Sequence, residues 1–183
     1  MSLTFLLGGA RSGKSSLAVR LGTEHAGPVV FVATCPRIAG DDDLDRRIER
    51  HRADRPAWPT DEEPLDLVAA LGRAGSDALV IVDCLSLWVW NLRWRGDDAD
   101  SVVRAASDFA VAASRRDAPT VVVSNEVGMG VHPETEEGRE YRDILGGVNQ
   151  AVAAHASPAL LMVAGQAVEL RDAATLIKGE FLP

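Results

Sequence analysis

The fold of this 183-residue chain is decided near its start by Leu3-Thr4-Phe5-Leu6-Leu7-Gly8-Gly9-Ala10-Arg11-Ser12-Gly13-Lys14-Ser15. Residues Leu3–Leu7 are apolar and predict a buried strand, and Gly8–Ser15 fits the phosphate-loop pattern G-x-x-x-x-G-K-[ST]. A helix-forming run, Ser16–Leu21, follows. A glycine-rich turn between strand and helix directs backbone N–H groups at an anion, and the helix N-terminus adds partial positive charge. The sequence therefore predicts a nucleoside triphosphate site.

Two side chains of this loop carry the chemistry that a triphosphate site needs. Lys14 can reach the β- and γ-phosphates, and the Ser15 hydroxyl can bind Mg²⁺. A glycine-rich turn that matches the pattern by chance is the alternative, and the flanking strand and helix argue against it. The predicted nucleotide contacts of the loop are Gly8, Gly9, Ala10, Arg11, Ser12, Gly13, Lys14 and Ser15.

Short apolar segments punctuate the chain, and each predicts a strand buried on both faces of a parallel sheet. They are Leu3–Leu7, Val29–Ala33, Leu79–Val82, Thr120–Ser124 and Ala159–Ala164, with Ala167–Leu170 as a possible edge strand. Helical patterns lie between them, at about 15–25, 42–52, 65–73, 100–115 and 136–155. The alternation predicts an α/β fold, a doubly wound and mainly parallel sheet flanked by helices, in a single domain over residues 1–183. The stretch 93–98 predicts an exposed loop, and the final dozen residues predict an irregular tail.

The composition limits the classes of partner and compartment. A formal net charge of -8 argues against a general nucleic-acid-binding protein, which is usually basic. Cys35 and Cys84 lie near predicted strand ends without a CxxC pattern, which favours a reduced, cytoplasmic setting. The first residues enter a strand at once and leave no room for a signal peptide. No apolar run is long enough to span a bilayer.

A second nucleotide signal is the run Leu79-Val80-Ile81-Val82-Asp83, a buried strand that ends in an acid. This is the Walker B arrangement, in which a carboxylate at a strand tip holds Mg²⁺ directly or through water. The alternative is that Asp83 caps the next helix. The spacing after the phosphate loop favours the metal-binding interpretation.

An unusual histidine, His51, lies among arginines near the end of a predicted helix. The neighbouring basic residues are Arg46, Arg47, Arg50, Arg52 and Arg55. A solvated basic helix with a surface histidine is one interpretation. In the other, the arginines keep the imidazole neutral and nucleophilic and neutralise the α-phosphate that it attacks. That attack would expel pyrophosphate and leave a nucleotidyl-histidine.

Several stretches, in order, together resemble one family. They are Gly8–Ser15, Arg47-Ile48-x-x-His51-Arg52-x-x-Arg55-Pro56, Trp58-x-Thr60-x-Glu62, Asn125–Gly130, Tyr141–Gly146 and Val148–Gln150. The chain resembles the bifunctional adenosylcobinamide kinase / adenosylcobinamide-phosphate guanylyltransferase family of coenzyme B12 assembly over nearly its whole length. The wording of the phosphate loop and the N-E-V-G-M-G block are far more specific than a bare phosphate loop.

The resemblance implies a two-step enzyme with a RecA-like fold. It phosphorylates adenosylcobinamide with ATP or GTP and then transfers GMP from GTP to that phosphate, with His51 as the guanylylated residue. The family forms trimers, which implies a homotrimer here. Further positions that match the family's nucleotide site are Ala33, Thr34, Cys35, Arg52, Ala53, Asp54, Arg55, Glu62 and Asp83. The stretch around Trp58 is one residue shorter than in some relatives, so either Glu62 or the adjacent Glu63 could match the family's glutamate.

Some features and functions stay open at this point. Asn125-Glu126 follows a strand and could bind Mg²⁺, orient the substrate or cap the next helix. Trp88, Trp90 and Trp94 could line a corrinoid pocket or pack in a core or interface. Two other functions also remain open. One is a phosphate-loop kinase that acts on another small molecule, which would leave His51 without a role. The other is a nucleotide-dependent regulatory module that transfers no phosphoryl group and would hydrolyse nucleotide without a corrinoid.

Overall fold

The structure is a computed structural model that describes residues 3–36, 46, 48–49 and 52–178. Three residues of the predicted nucleophile segment, His51, Arg47 and Arg50, lie outside the described residues, as does the acidic run Asp41–Asp43. The described part of the helix predicted over residues 42–52 is helical, namely Arg46, Ile48, Glu49 and Arg52.

The strands form one sheet. They are β1 (Leu3–Gly8), β2 (Val29–Ala33), β3 (Thr60–Glu62), β4 (Leu79–Asp83), β5 (Thr120–Val123), β6 (Ala159–Val163) and β7 (Gln166–Leu170). Their order across the sheet is β3-β2-β4-β5-β1-β6-β7. Neighbouring strands pair in parallel, except that β7 is antiparallel to β6. The predicted α/β class is therefore confirmed, and the carboxyl ends of the parallel strands share one edge.

The helices follow the strands along the chain. They are α1 (Lys14–Glu24), α2 (Leu67–Arg73), α3 (Leu85–Arg95), α4 (Ala99–Ser114), α5 (Glu136–Ala153) and α6 (Ala173–Lys178). Side chains cap two of the longest at the N-terminus. Asp98 accepts a hydrogen bond from the Ser101 amide at 2.7 Å, and Thr135 accepts one from the Gly138 amide at 3.1 Å. These caps satisfy amides that have no partner within the helix.

The core lies on both faces of the sheet. On one face, Ala18 of α1 packs with Phe31 and Ile81 of the sheet. On the other face, residues of α2, α3, α4 and α5, such as Trp88 and Phe109, form a larger cluster against the strands. Each large apolar side chain that becomes fully buried contributes about 1.5–3 kcal/mol, so these two clusters hold the strand ends in fixed positions.

The structure corrects several sequence predictions. Strand β3 was not expected, because Thr60–Glu62 is short and polar and lies at the sheet edge. Helix α3 was not expected; it extends into the predicted loop at 93–98 as far as Arg95, and its C-cap, Gly96, has a left-handed φ of 103°. The expectation of an irregular tail is also wrong where Ala173–Lys178 is helical. Apart from the helix predicted over residues 42–52, much of which lies outside the described residues, the other predicted strands and helices are present, with ends that differ by a few residues.

Candidate active site

The phosphate loop connects β1 to α1 and depends on glycines at two positions. Gly8 has φ 152° and Gly13 has φ 101°, both in a region that side-chain-bearing residues rarely adopt. A Cβ on Gly8 would overlap the carbonyl oxygen of Met162. The loop is held further by a hydrogen bond from the Gly165 amide to the Ser12 carbonyl at 2.9 Å. Strand β6 and the β6–β7 turn therefore support the loop from one side.

We expect Gly8→Ala to lower the free energy of unfolding by about 1–3 kcal/mol, because the new methyl group meets a fixed backbone carbonyl. Gly9→Ala is the matched control, since nothing lies within 4 Å of a Cβ there. It should change the free energy of unfolding by less than about 0.5 kcal/mol. Urea denaturation measures both. Equal effects of the two substitutions would contradict this account of the loop.

Lys14 is buried at the first position of α1 and folds back over the loop. Its ammonium donates hydrogen bonds to the carbonyl oxygens of Gly8 and Gly9, each at 2.7 Å, and to Ser12 Oγ at 3.3 Å. Burial lowers the pKa of Lys14, and the negative charge of Asp83 works against that shift. The ammonium is thus held inside the loop, where it can turn towards a phosphate.

The charge of Asp83 acts on both the phosphate loop and the segment Arg52–Arg55, called here the arginine segment. It ends β4 and pairs in register with Ala33 of β2 and Val123 of β5. The Asp83 charge acts on the pKa of Lys14 and also on that of Arg55. The alternative of a helix cap is wrong, because the N-cap of α3 is Cys84. One carboxylate therefore lies within electrostatic range of both cationic elements.

Thr34 fastens the tip of β2 to the tip of β4. Its hydroxyl donates to the Cys84 carbonyl at 2.8 Å and accepts from the Cys84 amide at 2.9 Å. Its own carbonyl accepts from Asn91 Nδ2 at 2.7 Å, and its amide donates to the Asp83 carbonyl at 3.4 Å. Thr34 is fully buried. Its polar groups are thus used within the protein, while the flanking Ala33 and Cys35 are partly exposed at the same edge.

We expect Thr34→Val to lower the free energy of unfolding by about 1–3 kcal/mol, because the Cys84 amide then loses its acceptor. Thr34→Ser keeps the hydroxyl and should recover most of this loss. Thr23→Val is a matched control, since the Thr23 hydroxyl donates to the Val19 carbonyl on the exposed side of α1. Chemical denaturation of the three variants is the measurement. If Thr23→Val lowered the free energy of unfolding as much as Thr34→Val, the hydrogen bonds between Thr34 and Cys84 would not be the cause of the loss.

The arginine segment after position 51 lies against β2 and β3. The Arg55 guanidinium carbon stacks 3.9 Å from the centre of the Phe31 ring, and Nη2 donates to Thr60 Oγ1 at 2.9 Å. Burial, with the charge of Arg52, lowers the pKa of Arg55. The buried Nε of Arg55 has no hydrogen-bond partner among the described residues. Ala53 and Asp54 are exposed in the turn between the two arginines.

The structure separates the adjacent carboxylates Glu62 and Glu63. Glu62 Oε1 accepts from Arg52 Nη2 at 2.7 Å. Glu63 instead accepts from the amides of Leu65 and Asp66, at 3.0 and 2.9 Å, and pairs with Arg73. Burial raises the pKa of Glu63, but the two amides and Arg73 outweigh it and lower the pKa overall. Only Glu62 of this pair therefore faces the arginine segment.

A chain of polar side chains lies beneath the strand ends. Ser124 Oγ donates to Asn149 Oδ1 at 2.6 Å, and Asn149 Nδ2 donates to the Asn125 carbonyl at 3.1 Å. Asn125 Nδ2 then donates to Ser86 Oγ at 2.8 Å, which lies 2.9 Å from Cys84 Sγ. This hydrogen-bond network joins the ends of β4 and β5 to α3 and α5. Satisfied polar networks of this kind fix one arrangement of the elements that they join.

Sequence reasoning missed Ser86 and Asn149 as positioning residues. Asn149 carried a usable signal, because it occupies a buried position of α5 beside Val148 and Val152. Glu126 was singled out, and its Oε1 accepts from the Gly128 amide at 2.5 Å within its own turn. It does not cap the next helix, because Thr135 does.

The tryptophans divide between the two interpretations. Trp88 is buried in the core, and its Nε1 donates to the Leu65 carbonyl at 2.8 Å. Trp90 and Trp94 are 50% and 83% exposed and line a cleft of about 760 Å³. The cleft also reaches Cys35, so it begins next to the tip of β2.

Two further findings concern metal and membrane. Within the described ranges, no three His, Cys, Asp or Glu side chains gather into a metal-binding cluster. The expected Mg²⁺ site needs fewer protein ligands than such a cluster, since Mg²⁺ in nucleotide sites takes one or two protein oxygens together with phosphates and water. None of the helices that the structure describes has the length and apolarity to cross a bilayer.

The glycine-rich loop at the helix N-terminus, its lysine and the strand-end aspartate define a phosphate-loop nucleotide-binding protein. A solved structure of an ATPase from the type III secretion system of pathogenic bacteria has the same fold, with a TM-score of 0.53 and 9% identity over 98% of this chain and 54% of that one. A family model described as "Cobinamide kinase / cobinamide phosphate guanyltransferase" matches residues 4–170. The chain belongs to this family.

Named relatives agree with the family match. The bifunctional adenosylcobalamin biosynthesis protein CobP of Pseudomonas aeruginosa is 41% identical, over 91% of this chain and 95% of its own. The protein CobU of the same description from Salmonella typhimurium is 36% identical, over 92% of this chain and 99% of its own. The family predicted from sequence, with its pair of transferase activities, is confirmed.

Proposed function

We propose that this chain phosphorylates adenosylcobinamide and then transfers GMP from GTP to the product through a guanylyl-histidine at His51. The observation that carries the proposal is the position of Asp83, whose charge acts on both Lys14 and Arg55. This supports a single site that combines the phosphate loop with the arginine segment next to His51 in sequence. Family membership supplies the substrate class.

In the first step, the loop holds the nucleoside triphosphate and Lys14 turns from the carbonyls of Gly8 and Gly9 to the phosphates. The aminopropanol hydroxyl of the corrinoid attacks the γ-phosphorus. The bond from that phosphorus to the β-phosphate oxygen breaks, the nucleoside diphosphate leaves, and the hydroxyl proton passes to solvent. The loop and its lysine contribute by positioning the phosphates and by stabilising their charge.

In the second step, an imidazole nitrogen of His51 attacks the α-phosphorus of GTP, and pyrophosphate leaves. The phosphate of the corrinoid product then attacks the same phosphorus and releases His51. Arg52 and Arg55 lie within four residues of His51 and supply positive charge for the α-phosphate. The buried Arg55 Nε, which has no acceptor in the described part of the chain, is a donor suited to a phosphate oxygen.

The Ser15 hydroxyl and the Asp83 carboxylate fit Mg²⁺. Both are hard oxygen donors of the kind that this cation takes, and Asp83 lies close enough to Lys14 to act on its pKa. When bound, Mg²⁺ would neutralise charge on the phosphate oxygens. A homotrimer, a cytoplasmic location and a single domain over residues 1–183 complete the proposal.

Labelled GTP tests the proposal directly. With α-labelled GTP, the protein should gain a covalent label that is stable to alkali and labile to acid, as expected of a phosphorus–nitrogen bond. With γ-labelled GTP it should gain none. Adding adenosylcobinamide phosphate should move the label to the corrinoid. A protein that phosphorylates adenosylcobinamide but never takes the label would be a plain kinase, and the guanylyl-histidine would be wrong.

A further inference from the structure

Helix α3 is apolar on two sides, and only one of them is covered. Leu85, Trp88, Val89 and Leu92 face the core and are buried. Leu87, Trp90 and Trp94 lie on another face at the spacing i, i+3 and i+7, and they are 39%, 50% and 83% exposed. A helix that is apolar all round is normally buried. We therefore expect a ligand or another surface to cover the second apolar face of α3.

This second face forms one wall of the cleft of about 760 Å³. The opposite wall is the chain that follows β2 and β3, including Cys35 and Pro64. The volume lies within the usual range for a small-molecule site, roughly 300–1,000 Å³. Cys35 directly follows Thr34, whose hydroxyl donates to the carbonyl of Cys84, the residue after Asp83. The apolar cleft thus begins at the tip of β2, the strand that neighbours β4 and its terminal Asp83.

Two polar details give the cleft a defined shape. Asn91 Nδ2 donates to the carbonyls of Thr34 and Pro64 at 2.7 and 3.1 Å, which fixes the amide in the wall. Its Oδ1 has no hydrogen-bond partner among the described residues, so it remains an acceptor. The Trp90 ring packs edge-on against Tyr141, with 5.9 Å between the ring centres. The Tyr141 hydroxyl donates to the Ser86 carbonyl at 3.0 Å, which holds this pair in place.

We propose that this cleft receives the corrin ring of the substrate, with Trp90 and Trp94 against the ring and Asn91 Oδ1 accepting from a peripheral carboxamide. This inference rests on the proposed function. A corrin is a broad, largely apolar ring with a rim of amides, which matches mainly apolar walls that carry one fixed amide oxygen and the Arg95 side chain, itself paired with Asp97. The aminopropanol arm then passes Cys35 to reach the phosphates.

The shape of the cleft favours this occupant over a second copy of the chain. Stable protein interfaces bury roughly 800 Å² per partner and extend over many residues. The cleft is instead a concavity lined by nine residues that begins at the tip of β2, next to the strand that carries Asp83. That size and position suit a small-molecule substrate better than a second copy of the chain.

Kinetics with adenosylcobinamide test the assignment. Trp94→Ala should raise the KM for adenosylcobinamide by about 10-fold or more, since truncating a central aromatic anchor typically has an effect of that size. The KM for the nucleotide and the α-labelling by GTP alone should stay within twofold. Trp94→Phe should recover most of the loss. Val168→Ala, at a position 63% exposed on β7, is the control and should change neither KM.

The outcomes separate this inference from the proposed function. If the wild-type protein turns over adenosylcobinamide and Trp94→Ala leaves its KM unchanged, the cleft is not the ring site, although the function stands. If the wild-type protein does not use the corrinoid at all, the proposed function itself is wrong. If Trp94→Ala dissociates an oligomer without changing the corrinoid KM of the separated subunits, the occupant is a second copy and the inference is overturned.

Discussion

His51→Ala should abolish the covalent label from α-labelled GTP and lower the guanylyltransferase rate by roughly 1,000-fold or more, which is typical of removing a catalytic nucleophile. Alanine has no atom that can form the bond to phosphorus. The kinase step should persist within a few-fold, because it needs the loop and the strand-end carboxylate rather than the imidazole. Parallel assays of phosphorylation and of GMP transfer measure the two rates separately.

His155→Ala is the control for this experiment. His155 is exposed just beyond α5, so its removal should leave the label and both rates unchanged. Retention of the label in His51→Ala would place the nucleophile elsewhere. Loss of both activities in His51→Ala, with unfolding at lower urea, would instead mean that the segment has a structural role.

Much of the fold could be predicted because its strands are short apolar runs. Strands buried on both faces lack polar residues, so Leu79–Asp83 and Thr120–Val123 stand out from their surroundings. Strand β3 lies at the edge of the sheet, with β2 as its neighbour among the described strands, so Thr60–Glu62 needs no apolar pattern. Sequence alone does not reveal it, because its register with Phe31–Ala33 is a tertiary fact.

Helix α3 escaped prediction for the opposite reason. Periodicity identifies a helix only when one side is polar, and Leu85–Arg95 presents apolar residues on two sides. One side packs in the core through Trp88, and the other lines the cleft through Trp90. The local sequence therefore lacks the single apolar face that predicts an amphipathic helix. The proposed corrin site gives the second apolar face a function.

The candidate site could be predicted where its parts are local in sequence. The phosphate loop and Asp83 follow from short patterns that combine residue type with position. The hydrogen bond from Thr34 to Cys84 joins residues 50 positions apart in the sequence, and the bond from Asn149 to Asn125 joins residues 24 positions apart. Such pairs depend on the order of strands in the sheet. The contact of Arg52 with Glu62 rather than Glu63 likewise depends on the tertiary structure.

Lys14→Met should lower both activities, and it should prevent the α-label as well. Methionine has nearly the length of lysine but no charge, so it fills the same space without contacting the phosphates. We expect each rate to fall by about 100- to 1,000-fold, the effect of removing one preorganised charged donor. The free energy of unfolding should change by less than about 1 kcal/mol, because losing the hydrogen bonds to Gly8 and Gly9 is offset by no longer burying an ammonium.

Arg20→Met provides the matched control, since it removes a positive charge from the exposed side of the same helix, where Arg20 lies 3.9 Å from Glu24. It should leave both rates within twofold. The comparison with His51→Ala then decides how the two steps share the site. Loss of both rates in Lys14→Met, against loss of only the second in His51→Ala, is the result expected if one loop holds the nucleotide in both steps. A Lys14→Met protein that still phosphorylates adenosylcobinamide at the wild-type rate would show that the ammonium held over Gly8 and Gly9 does not act on the transferred phosphate.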